Sequence, residues 1–305
     1  MMILLRQWMV WTAVTVLAPA AVGWGQAPTA ADSAREICIT LDDLPVVRVH
    51  DPHLRLQITE RLLVALDTFG APATGFVVGH NLMPEENLLP LWLLRGHTLG
   101  NHTYDHPDIN DLSLVEYLKD IEKGRDAIEQ LLIDAGQPRR YYRPPLLHYG
   151  ATAAVRDSLA AYLAAQGYLL AHVTVDNDDY LYNVKYETLI AGPDSIDLPR
   201  LGREFIEHIR TQLESAETLA QKIAGRPVRQ ILLLHANQLN GRFLPDLLAM
   251  IRGKGYRFIT LDSALADPIF AQPDPYIGPK GISFLERLAT PALPVPSKTP
   301  HESDP

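Results

Sequence analysis

The stretch "EICITLDD" at residues 36–43 determines the fold predicted for this 305-residue chain. Its apolar residues occupy every second position, which is the spacing of side chains on one face of a β-strand. The strand ends in two adjacent carboxylates, Asp42 and Asp43. It also contains Cys38, the single cysteine of the chain, which excludes a disulfide within the chain and is expected to be a packed, unreactive thiol.

Short apolar runs of this kind alternate along the chain with longer segments whose apolar residues recur at helical spacing. This alternation predicts βα units and a largely parallel sheet, and seven predicted strands suit a single barrel-like domain. The predicted strands cover residues 36–42, 74–79, 97–102, 140–145, 168–176, 229–236 and 256–261. The predicted helices cover residues 53–69, 87–95, 113–135, 151–166, 203–224, 244–252 and 262–266.

Both ends of the chain differ in composition from this central part. Residues 1–30 contain Arg6, an apolar run and then small residues, a pattern typical of a secretory signal peptide, with an uncleaved membrane anchor as the alternative. The mature chain is therefore expected to be secreted or periplasmic, without stable membrane insertion. Residues 31–267 are expected to form the barrel domain. The proline-rich residues 268–305 predict a packed C-terminal arm followed by a disordered tail.

One internal segment does not fit the alternation of strands and helices. Residues 181–201 contain no clear strand or helix pattern and are long for a loop inside a compact domain. Long loops of this kind are often functional. We therefore expect a lid or a wall beside the active site.

The charge of the chain limits the classes of partner. The formal net charge is −9 and the sequence pI is about 5.6. A polyanion-binding surface needs an excess of basic residues, so a nucleic acid partner is not expected.

Ionisable side chains follow most of the predicted strands. The carboxyl ends of the strands of an α/β barrel meet at one face, where the active site lies. We therefore expect these residues to meet. They are Asp42, Asp43, His102, His106, Arg143, Asp176, Asp178, Asp179 and His235.

The stretch "NHTYDH" at residues 101–106 places two histidines four residues apart. Two imidazoles and one carboxylate would leave an open position on zinc, as catalytic sites require. On its own the histidine pair is weak evidence and could arise by chance; the Asp42–Asp43 pair at another strand end strengthens it. Asp105 and Asp108 are expected to be turn residues. The remaining motif-free histidines are expected to be structural, namely His97, His148 and His172.

Five segments, taken together, resemble the polysaccharide deacetylases of carbohydrate esterase family 4. They are "TLDD" (40–43), "NHTYDH" (101–106), "RPP" (143–145), "DNDDY" (176–180) and "LLH" (233–235). They occur in the order typical of the family, and the resemblance spans residues 36 to about 265. It implies a distorted (β/α) barrel of about seven parallel strands in a single domain, so residues 31–267 would be a polysaccharide deacetylase-like domain.

The resemblance also implies a metal site and a base beside it. Asp43, His102 and His106 would hold a divalent metal, with zinc the expected ion, although such a ligand set accepts other divalent ions. Asp42 would be the general base. Arg143 would pair with Asp42, lower its pKa and keep it ionised and oriented.

A second pair of residues would supply the acid. His235 would protonate the leaving amine, and Asp179 would hydrogen-bond His235 and favour its protonated form. Asp176 competes with Asp179 for that role, and Asp179 is preferred because it directly precedes an aromatic residue. The sequence is also compatible with structural roles, namely a loop cap for Asp42, an ordinary salt bridge for Arg143 and a buried, hydrogen-bonded histidine for His235.

The remaining expectations concern the substrate. Tyr104, Tyr180, Pro144 and Pro145 are the predicted substrate-binding residues, with the Tyr104 backbone N–H as a donor to the oxyanion. The family usually has Trp where this chain has Tyr180, and "RPPLLHYG" at residues 143–150 extends the usual loop. Both departures concern the substrate rather than the reaction.

The predicted function is that of a secreted, metal-dependent hydrolase acting on an acetylated glycan. It would remove N-acetyl groups from amino sugars, for example in peptidoglycan, a chitin-type chain or another N-acetylglucosamine polymer. One alternative is an O-acetyl esterase acting on a xylan-like glycan. Another is a glycan-binding module without turnover.

Overall fold

The computed structural model describes residues 35–83, 86, 88–137, 140–192 and 197–290. The predicted signal peptide and residues 291–305 of the predicted tail lie outside the described residues. The strands in the described part are β1 (Glu36–Leu44), β2 (Ala73–Val77), β3 (Thr98–Asn101), β4 (Arg140–Tyr142), β5 (Tyr168–Leu170), β6 (Gln230–His235) and β7 (Arg257–Phe258). The α-helices there are α1 (Pro52–Phe69), α2 (Leu88–Leu94), α3 (Leu114–Asp134), α4 (Ala153–Ala165), α5 (Asp179–Ala191), α6 (Leu198–Ala224), α7 (Gln238–Gly253), α8 (Leu261–Leu265) and α9 (Phe284–Ala289).

The seven strands form one parallel sheet, as the alternation of strands and helices predicted. The strand order is β5-β4-β3-β2-β1-β6, and β7 also pairs with β1. This curled sheet with its surrounding helices is the predicted distorted (β/α) barrel, in a single domain. None of the described helices combines the length and the apolar character needed to cross a membrane.

The central strand β1 explains how the sequence positions the site. Ile37, Ile39 and Leu41 are fully buried and belong to the main core, to which α1 and α7 also contribute. The intervening residues point to the other face, where Cys38 packs in a second apolar cluster. Because side chains alternate along a strand, Asp42 follows Cys38 on this inner face. Burial raises the pKa of the Cys38 thiol to about 12, which keeps it protonated.

The register of the parallel strands brings their ends to one level. Asp42 in β1 pairs with His235 in β6, and Asn101 in β3 pairs with Tyr142 in β4. The residues that follow β3 and β4, including His102 and Arg143, therefore lie at the same face of the sheet as the end of β1.

The long strand predicted over residues 168–176 is wrong beyond its first three residues. β5 ends at Leu170, and the chain then crosses from β5 towards β6. The backbone N–H groups of Thr174 and Val175 both donate to the Ile231 carbonyl, and Val175 forms an isolated bridge with Leu232. The apolar run therefore joins the two edges of the sheet rather than extending one strand.

The loop predicted over residues 181–201 is largely helical. α5 covers most of its first half, and α6 begins at Leu198 rather than at residue 203. The buried side of α5 consists of Asp179, Asn183 and Tyr186, which recur at helical spacing but are mostly polar. A search for apolar periodicity does not detect such a face. The first turns of α5 border the site described below, where Tyr180 and Asn183 line the cleft.

Helix α7 also begins earlier than predicted, at Gln238 rather than at residue 244. The Asn237 side chain caps it by accepting a hydrogen bond from the Asn240 backbone N–H, at 2.9 Å. Its first turn is therefore fixed by a polar cap instead of by apolar periodicity. The start of α7 lies directly after the end of β6, next to His235.

Residues 268–290, called the arm below, pack against the domain. The arm contains a 3₁₀ turn at Pro268–Ala271 and the short helix α9. Phe284, Leu285 and Arg287 of α9 are buried. The Phe284 N–H donates to the Val173 carbonyl at 2.7 Å, so the arm lies along the segment that joins the two sheet edges.

Gly124 on α3 provides a test of how the fold supports the site. A Cβ atom at this position would lie 2.6 Å from the Thr103 carbonyl carbon and 2.5 Å from Asn101 Oδ1. We expect Gly124→Ala to push α3 and the loop after β3 apart and to lower the free energy of unfolding by about 1–3 kcal/mol, the usual cost of overpacking. Urea unfolding measures this change. Gly253→Ala, at an open helical position, is the matched control; equal stabilities of the two variants would contradict the packing.

Candidate active site

Three side chains at the ends of β1 and β3 converge. His106 Nε2 lies 3.4 Å and His102 Nε2 lies 3.7 Å from Asp43 Oδ1. One potential ligand atom from each residue lies within 4.8 Å of the other two. The three residues that the sequence assigned to a metal site are therefore close enough to bind a single ion.

The chemistry of these three side chains suits a divalent cation. Asp43 Oδ1 is buried and has no hydrogen-bond partner among the described residues, a costly state for a carboxylate oxygen that a cation would relieve. His102 Nδ1 lies 2.8 Å from the Arg143 carbonyl, so Nδ1 carries the proton and Nε2 is left with a free lone pair. Burial lowers the pKa of His102 to about 3, which keeps the ring in the neutral, metal-binding form.

The backbone around these three side chains adopts conformations that residues other than glycine rarely have. Asp43, Thr103 and His106 have φ values of 64°, 69° and 55°. Non-glycine residues in this left-handed region store strain, and such residues cluster at functional sites. The strain is held by local bonds, among them the His106 N–H to Thr103 Oγ1 at 3.1 Å.

Asp120 on α3 is a supporting residue that the sequence analysis did not identify. Its Oδ2 atom accepts hydrogen bonds from the N–H groups of Tyr104 at 2.8 Å and Asp105 at 3.0 Å. It thereby fixes the loop between His102 and His106. A carboxylate within the buried face of a helix that also carries Tyr117, Ile121 and Gly124 was the signal that could have identified it.

The same contact corrects the expectation for Tyr104. Its backbone N–H donates to Asp120, and its ring lies against Gly79 rather than facing the two imidazoles. This N–H is therefore engaged outside the site, which removes it from the candidate oxyanion donors.

Asp42 and Arg143 form a buried ion pair beside the three converging side chains. Arg143 Nη1 donates to Asp42 Oδ1 at 2.7 Å and to Thr40 Oγ1 at 2.8 Å. The guanidinium is fully buried and lies 4.2 Å from the centre of the Phe76 ring. The second Asp42 oxygen lies 3.6 Å from His102 Nε2. Arg143 therefore orients Asp42 towards the candidate metal site.

The pKa of Asp42 differs from the sequence-based expectation. Burial raises it above its usual value and outweighs the lowering by the Arg143 and His235 charges. The ion pair alone would have lowered the pKa of Asp42. The loss of hydration on burial raises this pKa by more than the Arg143 charge lowers it. A carboxylate with a raised pKa is a better proton acceptor.

His235 at the end of β6 is paired with Asp179 at the start of α5. The imidazole Nδ1 lies 2.5 Å from Asp179 Oδ1, and the His235 backbone N–H donates to Asp179 Oδ2 at 2.9 Å. Asn240 Nδ2 also donates to Asp179 Oδ2, at 2.5 Å. Burial by itself would lower the pKa of His235, but the charge and the side-chain hydrogen bond of Asp179, together with the charges of Asp43 and Asp42, raise this pKa to about 10. His235 is thus protonated at neutral pH.

Of the remaining predicted site residues, Asp176 and Tyr180 line the cleft, whereas Pro144 and Pro145 do not. Asp176 has no hydrogen bond to His235; burial raises its pKa to about 6, and it borders the same cleft. Tyr180 is half exposed and packs edge-on against the His235 ring, with the ring centres 6.2 Å apart. Pro144 and Pro145 are buried and do not line the cleft, which is lined instead by the next residues, starting with Leu146.

These groups meet in one cleft of about 490 Å³. Its walls come from the ends of β1, β3 and β6, from the segments after β4 and β5, and from one residue of the arm. The cleft therefore brings together a potential metal site, a buried carboxylate with a raised pKa and a protonated imidazole. This combination can hydrolyse a polarised carbonyl compound.

The pair of His235 and Asp179 predicts a pH-dependent stability. The folded-state pKa of His235, about 10, lies above the unfolded value of about 6.5, so the pair stabilises the fold fully below about pH 6.5 and less as the pH rises towards 10. We expect Asp179→Asn to remove much of this pH dependence in urea unfolding. Asp178→Asn, which changes an exposed neighbouring carboxylate, is the control. Equal slopes in wild type and Asp179→Asn between about pH 6.5 and 10 would disprove the coupling.

The sequence and the fold are similar to those of known proteins. Residues 29–168 match the family described as polysaccharide deacetylase. A peptidoglycan-N-acetylglucosamine deacetylase from Bacillus cereus is 23% identical over 234 residues, which cover 75% of this chain and 67% of that protein. A chitin deacetylase from Arthroderma benhamiae is 25% identical over 235 residues, or 76% of this chain and 52% of that protein. The chain thus spans about half the length of the second relative.

Solved structures share the fold at low sequence identity. The polysaccharide deacetylase Bc1974 from Bacillus cereus superposes with a TM-score of 0.54 at 21% identity, covering 74% of this chain and 91% of that one. A mutant of a family 4 carbohydrate esterase pseudoenzyme, with restored activity, superposes with a TM-score of 0.52 at 18% identity, covering 76% and 67%. The chain therefore matches the polysaccharide deacetylase family over residues 29–168 and shares the fold of these solved structures.

Proposed function

We propose that this protein removes N-acetyl groups from amino-sugar residues of a glycan by hydrolysis and that it needs a divalent metal ion. The observation that carries the proposal is the meeting of Asp42, His235 and the cluster of Asp43, His102 and His106 in one cleft. The family and the names of the relatives support a glycan substrate, for which peptidoglycan and chitin-type N-acetylglucosamine polymers are the candidates.

Asp43, His102 and His106 would hold the metal ion, and zinc is the ion that we propose. The buried Asp43 oxygen without a partner and the free Nε2 lone pair of His102 fit this assignment. When bound, the ion would supply a Lewis acid for the acetyl carbonyl.

Asp42 would act as the general base. Its carboxylate is oriented by Arg143 and lies next to His102, so it can accept the proton of a water molecule that attacks the acetyl carbon. The raised pKa of Asp42 strengthens it as a proton acceptor. Thr40 binds the same guanidinium nitrogen and helps to keep Arg143 in place.

His235 would act as the general acid. It is protonated at neutral pH because the Asp179 carboxylate raises its pKa to about 10. It can therefore donate a proton to the amide nitrogen as the carbon–nitrogen bond breaks. An amine is a poor leaving group unless it is protonated, whereas an alcohol released from an ester needs this help less. This requirement favours an N-acetyl substrate over the O-acetyl esterase alternative.

A glycan-binding module without turnover is the other alternative. The similarity to a pseudoenzyme shows that this fold by itself does not guarantee activity. In this chain, however, the proposed base and acid both line the cleft, and each is hydrogen-bonded to a buried charged partner, Arg143 or Asp179. Their arrangement favours catalysis over binding alone.

The proposed location follows from the sequence of the chain. The signal-peptide pattern of residues 1–30 supports secretion or a periplasmic location, where a cell-wall or extracellular glycan would be accessible. The acidic net charge of −9 gives no support for a nucleic acid partner.

Acetate release tests the function directly. We expect the metal-loaded protein to release acetate from N-acetylglucosamine oligomers and peptidoglycan, to lose this activity with a chelator, and to leave acetylated xylan largely intact. Asp42→Asn should lower the rate by about 10²–10⁴-fold, the usual contribution of a general base, while the metal stays bound. Asp126→Asn, at an exposed site on α3, is the matched control. Near-full activity of Asp42→Asn would refute the base assignment.

The metal site has its own test. His102→Ala should lose bound zinc because it removes the buried ligand that the Arg143 carbonyl orients. Elemental analysis after dialysis measures the metal content per chain. His50→Ala, which changes an exposed histidine outside the cleft, should keep the wild-type content. Unchanged zinc in His102→Ala would remove this residue from the ligand set.

A further inference from the structure

The arm is attached firmly to the domain. Arg287 is almost fully buried, donates from Nε to Asp274 Oδ2 at 2.8 Å and lies 3.8 Å from the centre of the Tyr149 ring. Arg156 on α4 donates from Nη1 to the carbonyls of Asp274 at 3.0 Å and Tyr276 at 3.1 Å. The part of the arm between these anchors is therefore held over the ends of β4 and β5.

This part of the arm touches the edge of the cleft. A Cβ atom on Gly281 would lie 1.8 Å from the Leu146 carbonyl oxygen, so the two backbones are in direct contact. Asn110 Nδ2 donates to the Pro279 carbonyl at 3.2 Å, which joins the arm to the loop that follows His106. No side chain larger than glycine fits at position 281 without moving the arm or the Leu146 loop.

The loop that contacts the arm, residues 146–148, has an unusual backbone conformation. Leu146 and Leu147 have φ values of 58° and 53°, a conformation that costs energy for leucine and must be held by its surroundings. Leu146 is half exposed and lines the cleft together with Leu147, His148 and Gly281. We call these four residues the end wall. The extended "RPPLLHYG" segment and the arm thus build one side of the cleft together.

We infer that the end wall closes one end of the substrate cleft, so that the sugar at the reaction site is a terminal residue of its chain. A glycan that crosses a cleft needs an open path on both sides of the reacting sugar. Among the described residues, the lining includes residues at or shortly after the ends of β1, β3, β4 and β6, and the arm adds Gly281 next to Leu146 on the β4 side. This inference rests on the proposed function.

Positional analysis of the products tests the inference. A pentamer of N-acetylglucosamine is treated with the metal-loaded protein, and the deacetylated residue is located by fragmentation in a mass spectrometer. We expect the wild type to deacetylate a terminal residue at least about tenfold faster than any internal residue. Equal rates at terminal and internal residues would overturn the inference while leaving the proposed function intact. No acetate release from any oligomer would overturn both.

Variants of the end wall separate a specificity role from a structural one. Gly281→Ala should displace the arm from Leu146 and raise internal deacetylation relative to terminal deacetylation by about tenfold. Asn110→Ala, which removes the hydrogen bond to Pro279, should shift the ratio in the same direction and replaces Gly281→Ala if that variant does not fold. Gly253→Ala, at an open position far along α7, should leave the ratio unchanged. A wild-type ratio in the folded end-wall variants would overturn the inference.

Discussion

Two adjacent carboxylates end a buried strand, and each needs a positive charge nearby. Asp42 obtains one from Arg143, whose guanidinium is fully buried and held by Thr40 and the Ala171 carbonyl. Asp43 Oδ1 has no hydrogen-bond donor in the described structure and faces two imidazoles instead. A buried carboxylate oxygen without a donor is costly, and the proposed cation between Asp43 and these histidines would offset this cost.

The proposed base, Asp42, and the proposed acid, His235, lie in environments that differ in kind. Asp42 lies deep on the inner face of β1, where burial raises its pKa despite the neighbouring cation. His235 lies opposite it in the register of the sheet, where Asp179 raises the imidazole pKa to about 10. One group is therefore suited to accept a proton and the other to donate one. Groups whose pKa values are set by such different surroundings are typical of acid–base catalysis.

The sequence predicted the sheet and the side chains at its ends because both depend on local signals. Alternation in β1 specifies which face carries Asp42, and parallel strands must end at one face. The interactions that the sequence did not predict involve buried polar side chains or residues far apart in the sequence. The buried face of α5 contains Asp179 and Asn183, Asp120 supports a loop from another element, and Gly281 reaches Leu146 from far along the chain. Hydrophobic periodicity does not reveal such polar or distant contacts.

The central claim is that strand ends from distant parts of the sequence hold one divalent ion beside Asp42. Anomalous X-ray diffraction from zinc-loaded crystals at the zinc edge tests this claim most directly. The account predicts a single strong peak within about 2.0–2.2 Å of an Asp43 carboxylate oxygen and of one nitrogen each of His102 and His106. A zinc peak elsewhere in the chain, or these three side chains directed away from a common point, would contradict it.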